Sequence, residues 1–96
     1  MLVARRFVVS GRVQGVGFRL FTMEAARREG LNGWVMNRHD GRVEAHAEGD
    51  RDAVDRFERQ LRHGPPGCRV ESFDVHDDVP AGRATGFMIR TQDRAW

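Results

Sequence analysis

A chain of 96 residues is long enough to bury one modest core and too short for two, so a single domain over residues 1–96 is expected. Its 40% hydrophobic and 31% charged residues exclude a disordered chain, and no apolar run approaches the length that spans a membrane. The 16 basic residues are all arginine and face 14 acidic ones, leaving a formal charge of +2; this suits a small anionic ligand and lacks the concentrated basic face that nucleic-acid binding needs.

The first element is a strand. Val3 to Ser10 is rich in valine and phenylalanine, and Phe7-Val8-Val9 is apolar enough for a central position in a sheet. It runs into Gly11-Arg12-Val13-Gln14-Gly15-Val16-Gly17-Phe18-Arg19, a glycine-spaced turn that leads to a helix. Glycine takes φ > 0 at little cost, so Gly15 and Gly17 let the amide hydrogens of Gln14, Gly15, Val16, Gly17, Phe18 and Arg19 turn toward one point at the positive end of that helix. A phosphate fits such a cradle, and the Arg19 guanidinium adds a planar, two-pronged hydrogen bond. The spacing matches neither G-x-G-x-x-G nor G-x-x-x-x-G-K-[ST], and a tight turn whose glycines serve only geometry accounts for it equally well.

From Phe18 to Glu29, the residues Phe18, Phe21, Thr22, Ala25 and Ala26 fall on one helical face, with Gly30 as the C-terminal stop. Leu31 to Asn37 reads as a second strand. Arg42 to Glu48 reads as a third, in which Val43, Ala45 and Ala47 alternate with outward-facing Glu44, His46 and Glu48; Asp40-Gly41 marks the hairpin between them. Asp50 caps a second helix, whose stripe of Ala53, Val54, Phe57 and Leu61 runs until Gly64-Pro65-Pro66-Gly67 stops it. Val70 to His76 is a fourth strand, Pro80 to Gly86 a polar loop, and Phe87 to Arg90 a short final strand.

Strand, helix, strand, strand, helix, strand predicts an α+β fold, the ferredoxin-like βαββαβ sandwich. Its antiparallel sheet has the order 4-1-3-2, with the short extra C-terminal strand beside it and two helices on one face. Right-handed crossovers make strands one and two point the same way. Asn37, at the end of strand two, therefore emerges at the same sheet edge as the loop from Gln14 to Arg19.

Two residues at that edge stand out chemically. Arg19 begins a helix, where the dipole disfavours a cation by about 0.5 kcal/mol, and a bound anion reverses the sign. Asn37 precedes a turn, where asparagine is common for conformational reasons alone; yet its amide can accept from a water and donate to a phosphate oxygen at once. No metal site is expected, since His39, His46, His63 and His76 lack mutual spacing and the lone Cys68 forms no Cys-x-x-Cys pair. No cofactor is expected either. The lone cysteine and the arginines of Met1-Leu2-Val3-Ala4-Arg5-Arg6-Phe7, which occupy the place of a signal peptide's apolar core, point to the cytoplasm.

The run Gly11 to Arg19 and the run Gly33-Trp34-Val35-Met36-Asn37-Arg38-His39-Asp40-Gly41-Arg42-Val43-Glu44 resemble, in order, the two signature motifs of the acylphosphatase family. The resemblance covers nearly the whole chain. It implies hydrolysis of an acyl phosphate, in which Arg19 and the loop from Gln14 hold the phosphoryl group and Asn37 orients the attacking water. It also implies inorganic phosphate or sulfate as a product-like ligand, and acetyl phosphate, carbamoyl phosphate or the acyl phosphates of glycolysis as substrates. Thr91 stands where the family commonly has tyrosine, a departure that concerns local packing only. The chemistry agrees with the lack of a converging acid pair: the leaving carboxylate has a pKa near 4, so it departs without a general acid. Phosphate monoesters need metal or acid help.

The chain is expected to act as a monomer without nucleic-acid or membrane partners. Two other classes stay open: a phosphate-binding or regulatory domain of the kind found inside larger carbamoyl-transfer proteins, and an RNA-binding module of the same fold. The absence of aromatics from Val43 to Glu48 opposes the second, because such modules stack bases on their central strands.

Overall fold

Strand alternation sorts the side chains of β1 (Leu2–Arg12) into two sets. Phe7 and Val9 face the helices and are fully buried, while Arg6 and Ser10 lie on the opposite face and are only partly covered. The computed structural model describes residues 1–91, so the last five residues of the expected domain lie outside the described residues. Along the chain follow α1 (Phe18–Arg28), β2 (Asn32–Asn37), β3 (Val43–Asp50), α2 (Arg51–His63), β4 (Arg69–Asp78) and β5 (Phe87–Ile89). The sheet order is β4-β1-β3-β2-β5. The four-strand order 4-1-3-2 is antiparallel throughout, as expected; β5 adds to the edge of β2 in parallel, which makes the whole sheet mixed.

The helices cover one face because each carries its apolar residues at helical spacing. α2 buries Ala53, Val54, Phe57 and Leu61, and α1 buries Phe18, Thr22, Ala25 and Ala26. Phe57 is the joint of this core, meeting Phe7 edge-on at 5.7 Å and Phe87 at 5.8 Å between ring centroids; truncating such a side chain costs about 3 to 5 kcal/mol. α1 ends at Gly30 as the sequence predicts, with the Gly30 amide donating to Arg27 and the Leu31 amide to Ala26.

The other face differs from the simple alternation. Glu48, expected to point to water, is only 5% exposed. Its carboxylate accepts hydrogen bonds from the Ala81 amide at 2.8 Å and the Gly82 amide at 2.6 Å, so the loop between β4 and β5 is fastened across that part of the sheet. A buried carboxylate persists only with such donors. On the same face Trp34 and His46 lie with ring planes 15° apart, and the Arg90 guanidinium sits 4.7 Å above the Trp34 ring.

Candidate active site

Two core anchors present the glycine loop. Val13 and Phe18, each 1% exposed, pin its two ends, and an irregularity in the β1–β4 register at Ser10 and Gly11 turns the strand out just before it. Between the anchors, Gly15 has φ 75° and Gly17 φ 77°. A Cβ added at either would meet nothing within 4 Å, so these positions need glycine for the backbone angle rather than for space.

Gly17 is the N-cap of α1, without a side-chain cap and without an acidic residue in the first turn. The first helical bond runs from the Phe21 amide to the Gly17 carbonyl at 3.0 Å. Among the described residues the amides of Phe18, Arg19 and Leu20 find no acceptor. These donors, at the positive end of the helix dipole, are what an anion would meet. Arg19 is half-buried beside them and forms no ion pair among the described residues, whereas Arg5, Arg38, Arg42 and Arg56 each hold a carboxylate.

Asn37 closes β2 opposite Val43. The turn that follows is stiffened by the Arg38 amide donating to the Arg42 carbonyl at 2.8 Å and by Asp40, whose carboxylate lies 2.7 Å from Arg42 and 3.1 Å from Arg38. The hydrogen bond from the Arg42 guanidinium holds the Asp40 carboxyl well below the usual carboxylate range. Gln14 Nε2 donates to the Arg38 carbonyl at 2.9 Å and the Arg42 carbonyl at 3.0 Å. That amide therefore ties the glycine loop to the turn after Asn37.

Gly15, Gly17, Phe18, Arg19 and Asn37 share one cavity of about 240 Å³. Gln14 and Val16 are not in its lining: Gln14 braces the turn, and the Val16 side chain packs on the core. Of Phe18, only the backbone is free to serve a ligand, since its ring is buried. Asn37 Oδ1 is, among the described residues, the one buried side-chain oxygen or nitrogen without a hydrogen-bond partner. A buried amide oxygen left unpaired costs about 1 to 3 kcal/mol. The carboxamide therefore has hydrogen-bonding capacity that the described residues do not use, on a residue that lines the cavity.

Sequence reasoning missed Leu20 and Ile89, which line the same cavity. Leu20 carried a readable signal, being an apolar residue off the stripe of Phe18, Thr22 and Ala25. Ile89 carried none, since its place depends on the parallel pairing of Ile89 with Val35. A larger groove of about 570 Å³ between α1 and α2, bounded by Phe21, Glu29, Arg56 and Gln60, contains neither Arg19 nor Asn37. Convergent donors, not size, mark the site. Among the described residues no group of three or more His, Cys, Asp or Glu side chains converges as metal ligands do, and no helix is long and apolar enough to cross a membrane.

Comparison with known proteins gives the family. An acylphosphatase family model matches residues 5–89. The chain is 52% identical over 85 residues to an acylphosphatase of Rubrobacter xylanophilus, covering 88% of this chain and 77% of that one. It is 50% identical to an acylphosphatase of Anaeromyxobacter dehalogenans, covering 92% and 95% of the two chains. The crystal structure of acylphosphatase from Bacillus subtilis superposes with a TM-score of 0.88 at 41% identity, over 94% of this chain and 99% of that one. With both motifs at one sheet edge and a family match along most of its length, the chain belongs to the acylphosphatase family.

Proposed function

We propose that the chain, acting as a single domain, hydrolyses a carboxyl-phosphate anhydride to a carboxylate and inorganic phosphate without a metal or cofactor. The amides from Gly15 to Arg19 and the Arg19 guanidinium hold the phosphoryl oxygens, replacing water with fixed donors at the positive end of α1. Asn37 holds a water on the side of phosphorus opposite the acyl oxygen. The water oxygen forms the new bond to phosphorus, the bond between phosphorus and the acyl oxygen breaks, and its electron pair leaves on the carboxylate. The water's proton passes to bulk solvent or to the phosphate formed. Because the leaving carboxylate is weakly basic, positioning and charge neutralisation are sufficient.

The observation that carries this reading is the meeting, among the described residues, of an Asn37 side-chain oxygen without a hydrogen-bond partner and an Arg19 without an ion pair, at a helix end with no side-chain cap of its own. Action as a cytoplasmic monomer belongs to the same reading, since every group invoked comes from one chain and the single cysteine forms no disulfide. Turnover of acetyl phosphate in the presence of a chelator is the test. Sustained release of phosphate is expected; tight phosphate binding with no turnover would leave a binding or regulatory domain instead.

A further inference from the structure

We propose that Leu20 and Ile89 form an apolar wall for the acyl group, so that the site favours acyl phosphates carrying an aliphatic or aromatic acyl chain over those carrying a polar or charged one. The inference rests on acyl phosphate hydrolysis at this cavity. Leu20 lies in the first turn of α1, next to Arg19, and is 52% exposed; Ile89 ends β5 and is 38% exposed. They come from opposite ends of the chain and meet at the cavity that holds Arg19 and Asn37. Neither belongs to the buried core cluster, so both side chains remain open to a ligand in the cavity.

Their placement fits the acyl side of the substrate. The loop amides and Arg19 account for the phosphoryl oxygens, and Asn37 accounts for the water, which leaves the apolar lining for the remaining part of the molecule. The cavity, at about 240 Å³, is larger than a phosphoryl group and one water require. Charge argues the same way. Among the described residues Arg19 is the single charged one in the lining, and the phosphoryl group engages it. An acyl group bearing a second phosphate finds no further cation among the described lining residues, and a carbamoyl nitrogen faces leucine and isoleucine there, a mismatch that disfavours polar groups.

The experiment is a series of acetyl, propionyl, butyryl and benzoyl phosphate, compared by kcat/KM in the wild type, Leu20→Ser, Ile89→Ser and the double variant. A one-sided wall is expected to give about threefold per added methylene, somewhat less than full burial gives, so butyryl phosphate exceeds acetyl phosphate by about tenfold. Each serine lowers that ratio, and the double variant brings it to about one. Inhibition by inorganic phosphate, which has no acyl group, stays within about twofold. A flat series in a wild type that turns over acetyl phosphate overturns the wall alone, as does a steep series unchanged in the double variant. Absence of turnover on every acyl phosphate overturns the proposed reaction and the wall with it.

Discussion

The two helices begin in opposite ways. At α2 the chain satisfies its own helix end: Asp50 has extended angles, its Oδ2 accepts from the Asp52 amide at 3.2 Å, Asp52 places a second acid in the first turn, and the Met1 ammonium lies 3.2 Å from Asp50 Oδ1. At α1 the N-cap is a left-handed glycine with no side chain, and the first turn carries Arg19 instead of an acid. A good N-cap contributes about 1 kcal/mol and an acid near the dipole about 0.3 to 1. α1 forgoes both. A helix end completed by its own chain serves stability, and one whose donors are left over is open to water or a ligand; the place where local rules are broken is the place to look for function.

If the open end of α1 is made for an anion, removing Arg19 has the largest consequence. Arg19→Ala is expected to weaken both phosphate inhibition and kcat/KM, with a loss of about 2 to 5 kcal/mol, the range for a hydrogen-bonded charge pair that loses one partner. Arg19→Lys restores little, because an ammonium is a point charge and cannot reproduce the planar two-point contact. Steady-state kinetics with phosphate as inhibitor give both quantities. Near-wild-type kcat/KM in Arg19→Lys would mean that charge alone matters at this helix end.

Asn37→Ala sharpens the comparison by dividing the site into binding and chemistry. The cradle keeps its amides and Arg19, so phosphate inhibition is expected to change little. kcat falls about a hundred- to a thousand-fold, the usual loss for one positioned hydrogen-bonding group. A turn asparagine with only a conformational role would do the reverse, lowering the melting temperature and sparing the kcat of the folded protein. Wild-type kcat in folded Asn37→Ala would remove the residue from the reaction.

The difference between the helix ends was visible in the sequence, because it rests on local choices. Asp50 ahead of an apolar stripe, and Gly15 and Gly17 ahead of Arg19, are read off neighbours in the chain, and β-strand order follows from element order. What escaped depends on contacts between distant residues. Glu48 alternates as an outward residue and is buried only because Ala81 and Gly82 donate to it. Gln14 lies in the glycine motif, yet its side chain serves the turn after β2. Asn37 was placed at the right sheet edge by topology, but whether its amide was already occupied there was a matter of packing that spacing does not encode. Ile89 reaches the site only because β5 pairs in parallel with β2.

The smallest effects are expected at α2, and they complete the contrast. Asp50→Ala should lower the melting temperature by about 4 °C, the scale of one lost cap in a domain of this size, and leave acyl phosphate turnover unchanged. Asp50→Asn keeps a capping oxygen but not the charge that faces the Met1 ammonium, so at pH 7 it should melt between Asp50→Ala and the wild type, and it loses the response to acid. The hydrogen bond to the Met1 ammonium, followed by that from the Asp52 amide, holds the folded Asp50 carboxyl below its ordinary range. The unfolded carboxyl titrates near pH 3.9, roughly the free value. The stability that Asp50 contributes is therefore complete above that pH and is lost as the pH falls through its lower folded value. Melting temperature should then fall less steeply with acid in Asp50→Asn than in the wild type; Asp40 and Asp55, also held low by arginines, keep some slope in both. At pH 7 the roles reverse, because the titrant of α1 is an anion. Phosphate at a hundred times its dissociation constant stabilises a folded binder by about 2.7 kcal/mol. That rise in melting temperature should persist in Asp50→Ala and vanish in Arg19→Ala, and a rise that instead followed Asp50 would place the anion at the wrong helix.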